Sequence, residues 1–336
     1  MLNSVYELNK ENFKDLFPNI PHFRFNQIEH WRSLGLNTFS EYKNLGKSTI
    51  DELKAKCKVF SSKVIKTQEA FDSTKFLIEL EDGNLIECVA MQDEKKKRTV
   101  CLSSQVGCAC GCKFCATGTL GFTRNLKSYE IIEQFYHIKS HFLVIDNIVF
   151  MGMGEPLLNI DSVVKSIEYF KQNEKISARR ITLSTSGIAK GIMTLAEKKT
   201  GIKLTLSLVV ANQEKRAEIM NVAKENTLSK LKEALLYFQH NDNRRITLAY
   251  CMLQGINMDR KSTLELKNFA KGLVYHINLI PWNKVDFLEY NAPLDSEIRD
   301  FERELKKEKI PYSIRYSKGS TINAACGQLV AKNTSN

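Results

Sequence analysis

The sequence predicts an α/β fold: a partial (βα)6 barrel behind a small N-terminal helical module and a β-hairpin extension. Three observations carry this expectation. From Arg98 onward, short β-rich runs alternate with helical stretches, the pattern of βα units around a parallel sheet. Before Lys56 the apolar spacing is helical, and between about Val59 and Met91 it changes to strand runs about a turn. The count of about six βα units is too small for a closed eight-fold barrel. The expected division is a helical module over 1–58, a hairpin extension over 59–96, the barrel over 97–330 and a tail over 331–336.

In the first segment, FNQIEHWRSLG places Phe25, Ile28 and Trp31 at helical spacing. STIDELKAK opens with Ser48-x-x-Asp51, a capping pattern that predicts a helix start at Ser48. FLIEL and LIECVAM flank Glu-Asp-Gly-Asn, the chemistry of a hairpin turn. The barrel strands are then RTVCLSS, NIVFMGM, RITLSTS, IKLTLSL, RITLAYCML and YHINLIPW. Helical stretches between them include SYEIIEQFYHIKSHF, DSVVKSIEYFKQ, TLSKLKEALLYFQ and STLELKNFAKGL. A parallel sheet of this kind binds ligands at the C-terminal ends of its strands. No repeat or low-complexity segment interrupts the pattern.

Composition narrows the class of protein. Of the 336 residues, 43% are hydrophobic and 26% charged, ordinary for a soluble domain, and no apolar run reaches the length of a membrane span. The start, MLNSVYELNKENFKDLF, lacks the apolar core of a secretory signal and the acid-poor pattern of a transit peptide, so a cytoplasmic location is expected. The net charge of +11 favours a polyanion partner. Nine cysteines without a secretory signal suggest metal or redox chemistry instead of a disulfide framework.

The informative run is CLSSQVGCACGCKFCATG. Cys108, Cys112 and Cys115 form C-x3-C-x2-C in a glycine-bearing loop directly after a strand. Tetrahedral zinc wants a fourth ligand, usually from a second paired motif, and the chain has none. His137 and His141, at helical spacing, read as surface or boundary residues. Three thiolates can instead hold three irons of a [4Fe–4S] cluster and leave the fourth open to a small molecule. A zinc knuckle or incidental thiols is the blander alternative. Cys110 stands at the wrong spacing, and Cys57, Cys88 and Cys251 read as packing residues.

Around that run, the words SSQVGC, GFTRNL, MGMGEPLLN, RRITLSTSG, INLIPWN and AACGQL, in this order, resemble the RlmN/Cfr family of radical S-adenosylmethionine (SAM) rRNA adenine methyltransferases. The resemblance runs from about Phe23 to Leu329. It implies two cofactors, a [4Fe–4S] cluster on Cys108, Cys112 and Cys115, and SAM. It implies methylation of adenine C2 or C8 in 23S rRNA, with tRNA as a further substrate. In the family, a deoxyadenosyl radical takes hydrogen from a methyl group carried on a protein cysteine, and the resulting carbon radical adds to the base. Cys326 matches the methyl-bearing cysteine, Cys101 the one that resolves the protein–RNA link as a Cys101–Cys326 disulfide, and Glu87 the proton acceptor. Gly154, Glu155, Ser184, Ser207, Leu208, Val209 and Asn283 match SAM contacts. The implied partners are RNA and an electron donor such as flavodoxin or ferredoxin; no membrane is expected, and a monomer is the default.

Lys95, Lys96, Lys97, Arg98, Arg124, Arg179, Arg180, Arg244, Arg245, Arg315 and Lys318 are candidate phosphate contacts. Two departures mark a divergent member. SLVVANQ stands where the family reads SLHA followed by proline, so Val209 replaces an imidazole. Met220-Asn221-Val222-Ala223 replaces a Met-Pro-x-Asn word. Two other functions stay open: a radical SAM enzyme using the methylcysteine on another substrate, and a non-catalytic iron–sulfur or zinc RNA-binding protein.

Overall fold

The computed structural model describes residues 2–142 and 144–331, so the expected tail lies, from residue 332 on, outside the described residues. Three short helices open the chain: α1 (Lys10–Leu16), α2 (Arg24–Arg32) and α3 (Lys47–Lys56). Asn9 caps α1 by accepting from the Glu11 and Asn12 amides, and α2 buries Phe25 and Ile28 as its spacing requires. The expected start at Ser48 is not observed. Helix α3 begins one residue earlier, with extended Gly46 in the cap position and no side-chain cap, which leaves Ser48 in the first turn.

The extension has one strand more than the hairpin expected. Strands β1 (Lys63–Ala70), β2 (Ser73–Glu79) and β3 (Leu85–Gln92) form an antiparallel meander. KVIKTQEA is a sheet edge with largely accessible side chains, so it shows no apolar alternation to read. Strand β4 (Arg98–Cys101) then pairs antiparallel with β3, and extension and barrel share one ten-stranded sheet. A two-stranded ribbon, β5 (Gln105–Gly107) with β6 (Phe122–Asn125), brackets the cysteine loop.

The remainder alternates as expected: α4 (Ser128–Lys139), β7 (Asn147–Phe150), α5 (Ile160–Gln172), β8 (Ile181–Thr185), α6 (Ala189–Glu197), β9 (Lys203–Ser207), α7 (Gln213–Ile219), α8 (Leu228–Asp242), β10 (Ile246–Met252), α9 (Arg260–Ala270), β11 (Tyr275–Pro281), α10 (Asp295–Lys307) and β12 (Tyr312–Ile314). All six expected strands form and pair in parallel in the order β4-β7-β8-β9-β10-β11. The three-residue β12 adds a seventh, too short to show a period.

Register sorts the side chains. Residues paired across a sheet share a face, and neighbours along a strand alternate. Val100, Ile148, Leu183, Leu204, Leu206, Leu248, Tyr250 and Leu279 therefore lie on the buried, helix-covered face. The opposite face carries Cys101, Val149, Thr182, Ser184, Thr205, Ser207, Thr247, Ala249 and Cys251, and lines the barrel interior. Glu87 and Val89 continue that interior face into the extension, since Val89 pairs with Cys101.

The helical module packs on α4 and α5. Tyr6 stacks on Tyr136 with centroids 4.5 Å apart, and the Arg32 guanidinium sits over Tyr169. His137, expected at a boundary, is buried: its ring stacks on Phe60 at 4.3 Å and its Nε2 lies 3.1 Å from the Ser62 hydroxyl. The linker from α3 to β1 is anchored on buried Glu133, which accepts from the Ser61 amide (2.8 Å), the Ser62 amide (3.1 Å) and both hydroxyls.

Burial lifts the Glu133 carboxyl from 4.5 to about 7 and lowers His137 from 6.5 to about 4. Folded Glu133 keeps a proton that the unfolded chain releases, so its contribution to stability is present below pH 4.5 and is lost as pH rises to 7. Folded His137 lacks a proton that the unfolded chain binds, so its contribution is lost as pH falls from 6.5 to 4. The two slopes oppose and nearly cancel. Relative to wild type, Glu133→Gln is expected to lose about 2–3 kcal/mol between pH 6.5 and 4.5, and His137→Gln to gain a similar amount. Denaturant unfolding at several pH values checks both signs.

Candidate active site

The cysteine loop is held at the mouth of the barrel by contacts from three directions. Cys108 N–H donates to Gly121 O (2.7 Å), closing the ribbon beneath the loop. Lys113 N–H donates to Ile219 O (2.9 Å), and Cys112 forms a β-bridge with Met220. From the C-terminal segment, Gly327 O accepts from Ala116 N–H (2.8 Å) and Leu329 O from the Thr117 hydroxyl (2.8 Å). Gly118 is needed here because an added Cβ would lie 2.6 Å from Cys112 O. Met220-Asn221-Val222-Ala223 thus abuts the cysteine loop, and Asn221 Nδ2 reaches Gly111 O at 3.5 Å.

Cys108, Cys112 and Cys115 are brought together. Burial pushes the Cys115 thiol up to about 11 and that of Cys112 well above the ordinary range, while Cys110 beside it lowers Cys108. These thiols ionise when a cation arrives to hold them. Among the described residues, no three Cys, His, Asp or Glu converge on a point fit for one metal ion. The C-x3-C-x2-C set offers one thiolate to each of three irons of a cluster. The donor set therefore fits a [4Fe–4S] cluster.

Cys326 is solvent-accessible and lies among Cys101, Cys115 and Cys251. The surrounding chain raises its thiol pKa, and the Arg315 cation pulls it back. Cys101 is buried and pushed up to about 12. Glu87 is buried on the same face, in an ion pair with Lys75 (3.0 Å) diagonally across β2 and β3. Its Oε2 accepts from Val330 N–H (2.8 Å), and Lys75 Nζ also donates to Asn323 O (3.3 Å). The segment carrying Cys326 is thereby tied to the extension on both sides of the cysteine.

The expected SAM contacts gather at the strand ends, with roles adjusted by geometry. Gly154 has φ +98, and an added Cβ would meet Gln105 at 2.5 Å, so the chain itself demands glycine. The Glu155 carboxylate is buried and receives the Ser186 amide (2.6 Å), the Ser186 hydroxyl (2.7 Å) and the Leu157 amide (3.0 Å). It joins the ends of β7 and β8. The Ser184 and Ser207 hydroxyls lie 3.3 Å apart on the interior face, Leu208 is buried, and Val209 sits behind them with φ +60. Asn283 Nδ2 donates to Cys326 O (3.0 Å) and Ser317 Oγ (2.9 Å), so in this state it holds the Cys326 segment.

Several residues escaped the sequence reading. Cys251 is an interior-face residue near Cys326, and the alternation of Ile246, Leu248, Tyr250 and Met252 on the other face could have placed it there. Asn257 is buried, donates to Val209 O (2.8 Å) and Cys251 O (2.7 Å), and accepts from Leu253 N–H (2.9 Å). No local motif announces it. Of the candidate phosphate contacts, Arg124 is engaged by Glu130 and Asp82, whereas Lys95, Lys96 and Lys97 are exposed.

Comparison with known proteins identifies the family. The radical SAM superfamily profile matches residues 102–266. A crystal structure of a radical SAM methyltransferase from Sphaerobacter thermophilus superposes with a TM-score of 0.94 at 32% identity, covering 98% of this chain and 100% of that one. The protein is a radical SAM methyltransferase, a class that works with a [4Fe–4S] cluster and SAM. Among curated proteins, the probable dual-specificity RNA methyltransferase RlmN of Treponema pallidum is 41% identical over 310 residues, 91% of each chain. That of Treponema denticola is 44% identical over 91% of this chain and 89% of its own. The chain belongs to the RlmN family.

The position of Arg315 gives a test that needs no cofactor. In Arg315→Met, the pH at which Cys326 becomes half-reactive toward iodoacetamide is expected to move upward, as read by peptide mass spectrometry across a pH series.

Proposed function

We propose that the protein methylates a ring carbon, C2 or C8, of adenine in RNA, with 23S rRNA and also tRNA as substrates, through a methyl group carried on Cys326. The observation that carries this reading is the convergence of Cys326, Cys101 and Glu87 on one interior face, with the Cys326 segment hydrogen-bonded to the cysteine loop. RNA as the substrate class is supported by the names of the RlmN relatives and by the basic charge. When bound, the cluster and SAM supply the methyl group and the one-electron cleavage chemistry that an electron-poor adenine carbon requires.

The chain's own residues do the rest. Cys108, Cys112 and Cys115 hold the cluster, and Gly154, Ser184 and Ser207 to Val209 line the SAM site. Glu155 braces that site, and its remaining acceptor capacity faces the amino group of SAM. Asn283 holds the Cys326 segment closed and turns to SAM when that segment opens. Cys326 presents its methyl carbon to the base. Glu87, held by Lys75 and the Val330 amide, takes the proton lost from the ring carbon. With the unpaired electron of the adduct taken up by the cluster when bound, the Cys101 thiolate bonds to the Cys326 sulfur as the sulfur–carbon bond breaks, and that bond's electron pair together with a proton completes the methyl group on the product carbon.

The N-terminal module (1–58) and the extension (59–96) supply RNA contacts around the barrel (97–330). Phe71, at the turn between β1 and β2, is fully exposed beside Asp72, whose carboxylate accepts from Gly319 N–H (3.3 Å). It stands next to the Cys326-bearing segment as a platform for an unpaired base. The enzyme acts as a cytoplasmic monomer supplied with electrons by a flavodoxin or ferredoxin.

With methyl-labelled SAM and reconstituted cluster, label is expected on the Cys326 peptide by mass spectrometry. An unlabelled Cys326 in protein that still cleaves SAM overturns the methylcysteine route. Cys101→Ala is expected to accumulate a covalent protein–RNA adduct visible on a denaturing gel, because the resolving thiol is gone. Phe71→Ala is expected to weaken RNA binding roughly tenfold with SAM affinity unchanged, as one base loses its stacking partner.

A further inference from the structure

Arg216, on α7, is fully buried, and among the described residues no carboxylate forms an ion pair with it. Other buried cations in the protein are matched: Arg32 pairs with Glu29 at 2.8 Å and Lys75 with Glu87 at 3.0 Å. The Arg216 guanidinium is fixed by carbonyls at the ends of β8 and β9. Nη2 donates to Ser186 O (2.5 Å) and Ser207 O (3.5 Å), and Nε donates to Leu208 O (3.1 Å). Among the described residues, the buried Nη1 has no hydrogen-bond partner. A buried cation without an anion costs several kcal/mol and is retained where an anion completes it. The helix that carries Arg216 ends against the cysteine loop, where Cys112 is bridged to Met220 and Lys113 N–H donates to Ile219 O (2.9 Å); burial lowers the Arg216 pKa to about 10, and the Cys112 and Cys110 sulfurs raise it. Ser186, whose carbonyl holds Nη2, also places its hydroxyl 3.1 Å from Cys110 Sγ.

We propose that Arg216 is the built-in counter-charge of the iron–sulfur cluster, offsetting the negative charge of the thiolate-bound cluster and so favouring its one-electron-reduced state. A cluster held by three thiolates is anionic and becomes more so on accepting an electron from the flavodoxin- or ferredoxin-type donor, so a fixed cation beside it stabilises the reduced form more than the oxidised one. The carbonyl cage keeps the guanidinium in place without neutralising it. The inference rests on Cys108, Cys112 and Cys115 being the cluster ligands. Cys112→Ala tests that assignment separately, through loss of iron.

The test is an EPR-monitored reductive titration of the reconstituted full chain, wild type against Arg216→Gln, Arg216→Met and Arg216→Lys, with iron content and SAM affinity measured on the same samples. Gln keeps donors for the carbonyls and Met fills the volume, and both remove the charge. The expected result is a reduced-to-oxidised ratio about tenfold lower at a fixed potential in the two neutral variants, equivalent to 59 mV for one electron, with Arg216→Lys close to wild type. An unchanged midpoint in neutral variants with full iron overturns the proposal. So does a loss of SAM affinity at unchanged midpoint, which assigns the cation to the SAM carboxylate. If the neutral variants hold no cluster, full iron in Arg216→Lys supports charge compensation, and loss of iron there too overturns it.

Discussion

The site depends on the in-register parallel pairing of the barrel strands. Pairing of Cys101 with Val149, Ser184 with Thr205 and Ser207 with Ala249 fixes which side of every strand looks inward. The outward side is aliphatic and is covered by helices, which supplies the burial that holds the sheet. The inward side is then free to carry thiols, hydroxyls and a carboxylate. Because β3 pairs with β4, the same alternation extends to Glu87 in the extension. A slip of one residue in that pairing would turn Glu87 and Cys101 onto opposite faces.

Around this frame, buried charge is handled in three ways. Burial at the foot of the helical module raises the Glu133 carboxyl to about 7, and four donors from Ser61 and Ser62 surround it. Glu87 is matched by a lysine one strand away and by a backbone amide from the C-terminal segment. Arg216 is held by carbonyl dipoles and, among the described residues, carries no ion pair. The first anchors the linker to the helical module, whereas the second ties the extension to the Cys326-bearing segment and the third joins the ends of β8 and β9.

The loops after β9 and α7 carry the two departures from the family wording. Val209 replaces the usual imidazole, and its left-handed backbone is costly for a β-branched residue, on the order of 1–3 kcal/mol. Asn257 holds that conformation by donating to Val209 O while it ties down the end of β10. Asn221, where the family has proline, reaches across to Gly111 in the cysteine loop. Asn221 therefore touches the cysteine loop, and Val209 stands just past the end of β9.

The sequence by itself determined the architecture and the identity of the chemistry. Alternation of β-rich and helical words located all six principal strands, and C-x3-C-x2-C with AACGQL named two segments that the fold packs against each other, because these signals are local in the chain. It missed β1 and β12, which are an exposed edge and a three-residue strand with too little period to read. It placed His137 at a boundary because burial of that ring depends on Phe60 and Ser62, more than seventy residues away. Only the tertiary structure decided the partners of these groups: Lys75 for Glu87, Arg315 for Cys326, Asn257 for Val209, and a cage of carbonyls for Arg216. The physical reason is that desolvation and hydrogen-bond satisfaction are set by neighbours in space, which the spacing of one strand or one loop does not encode.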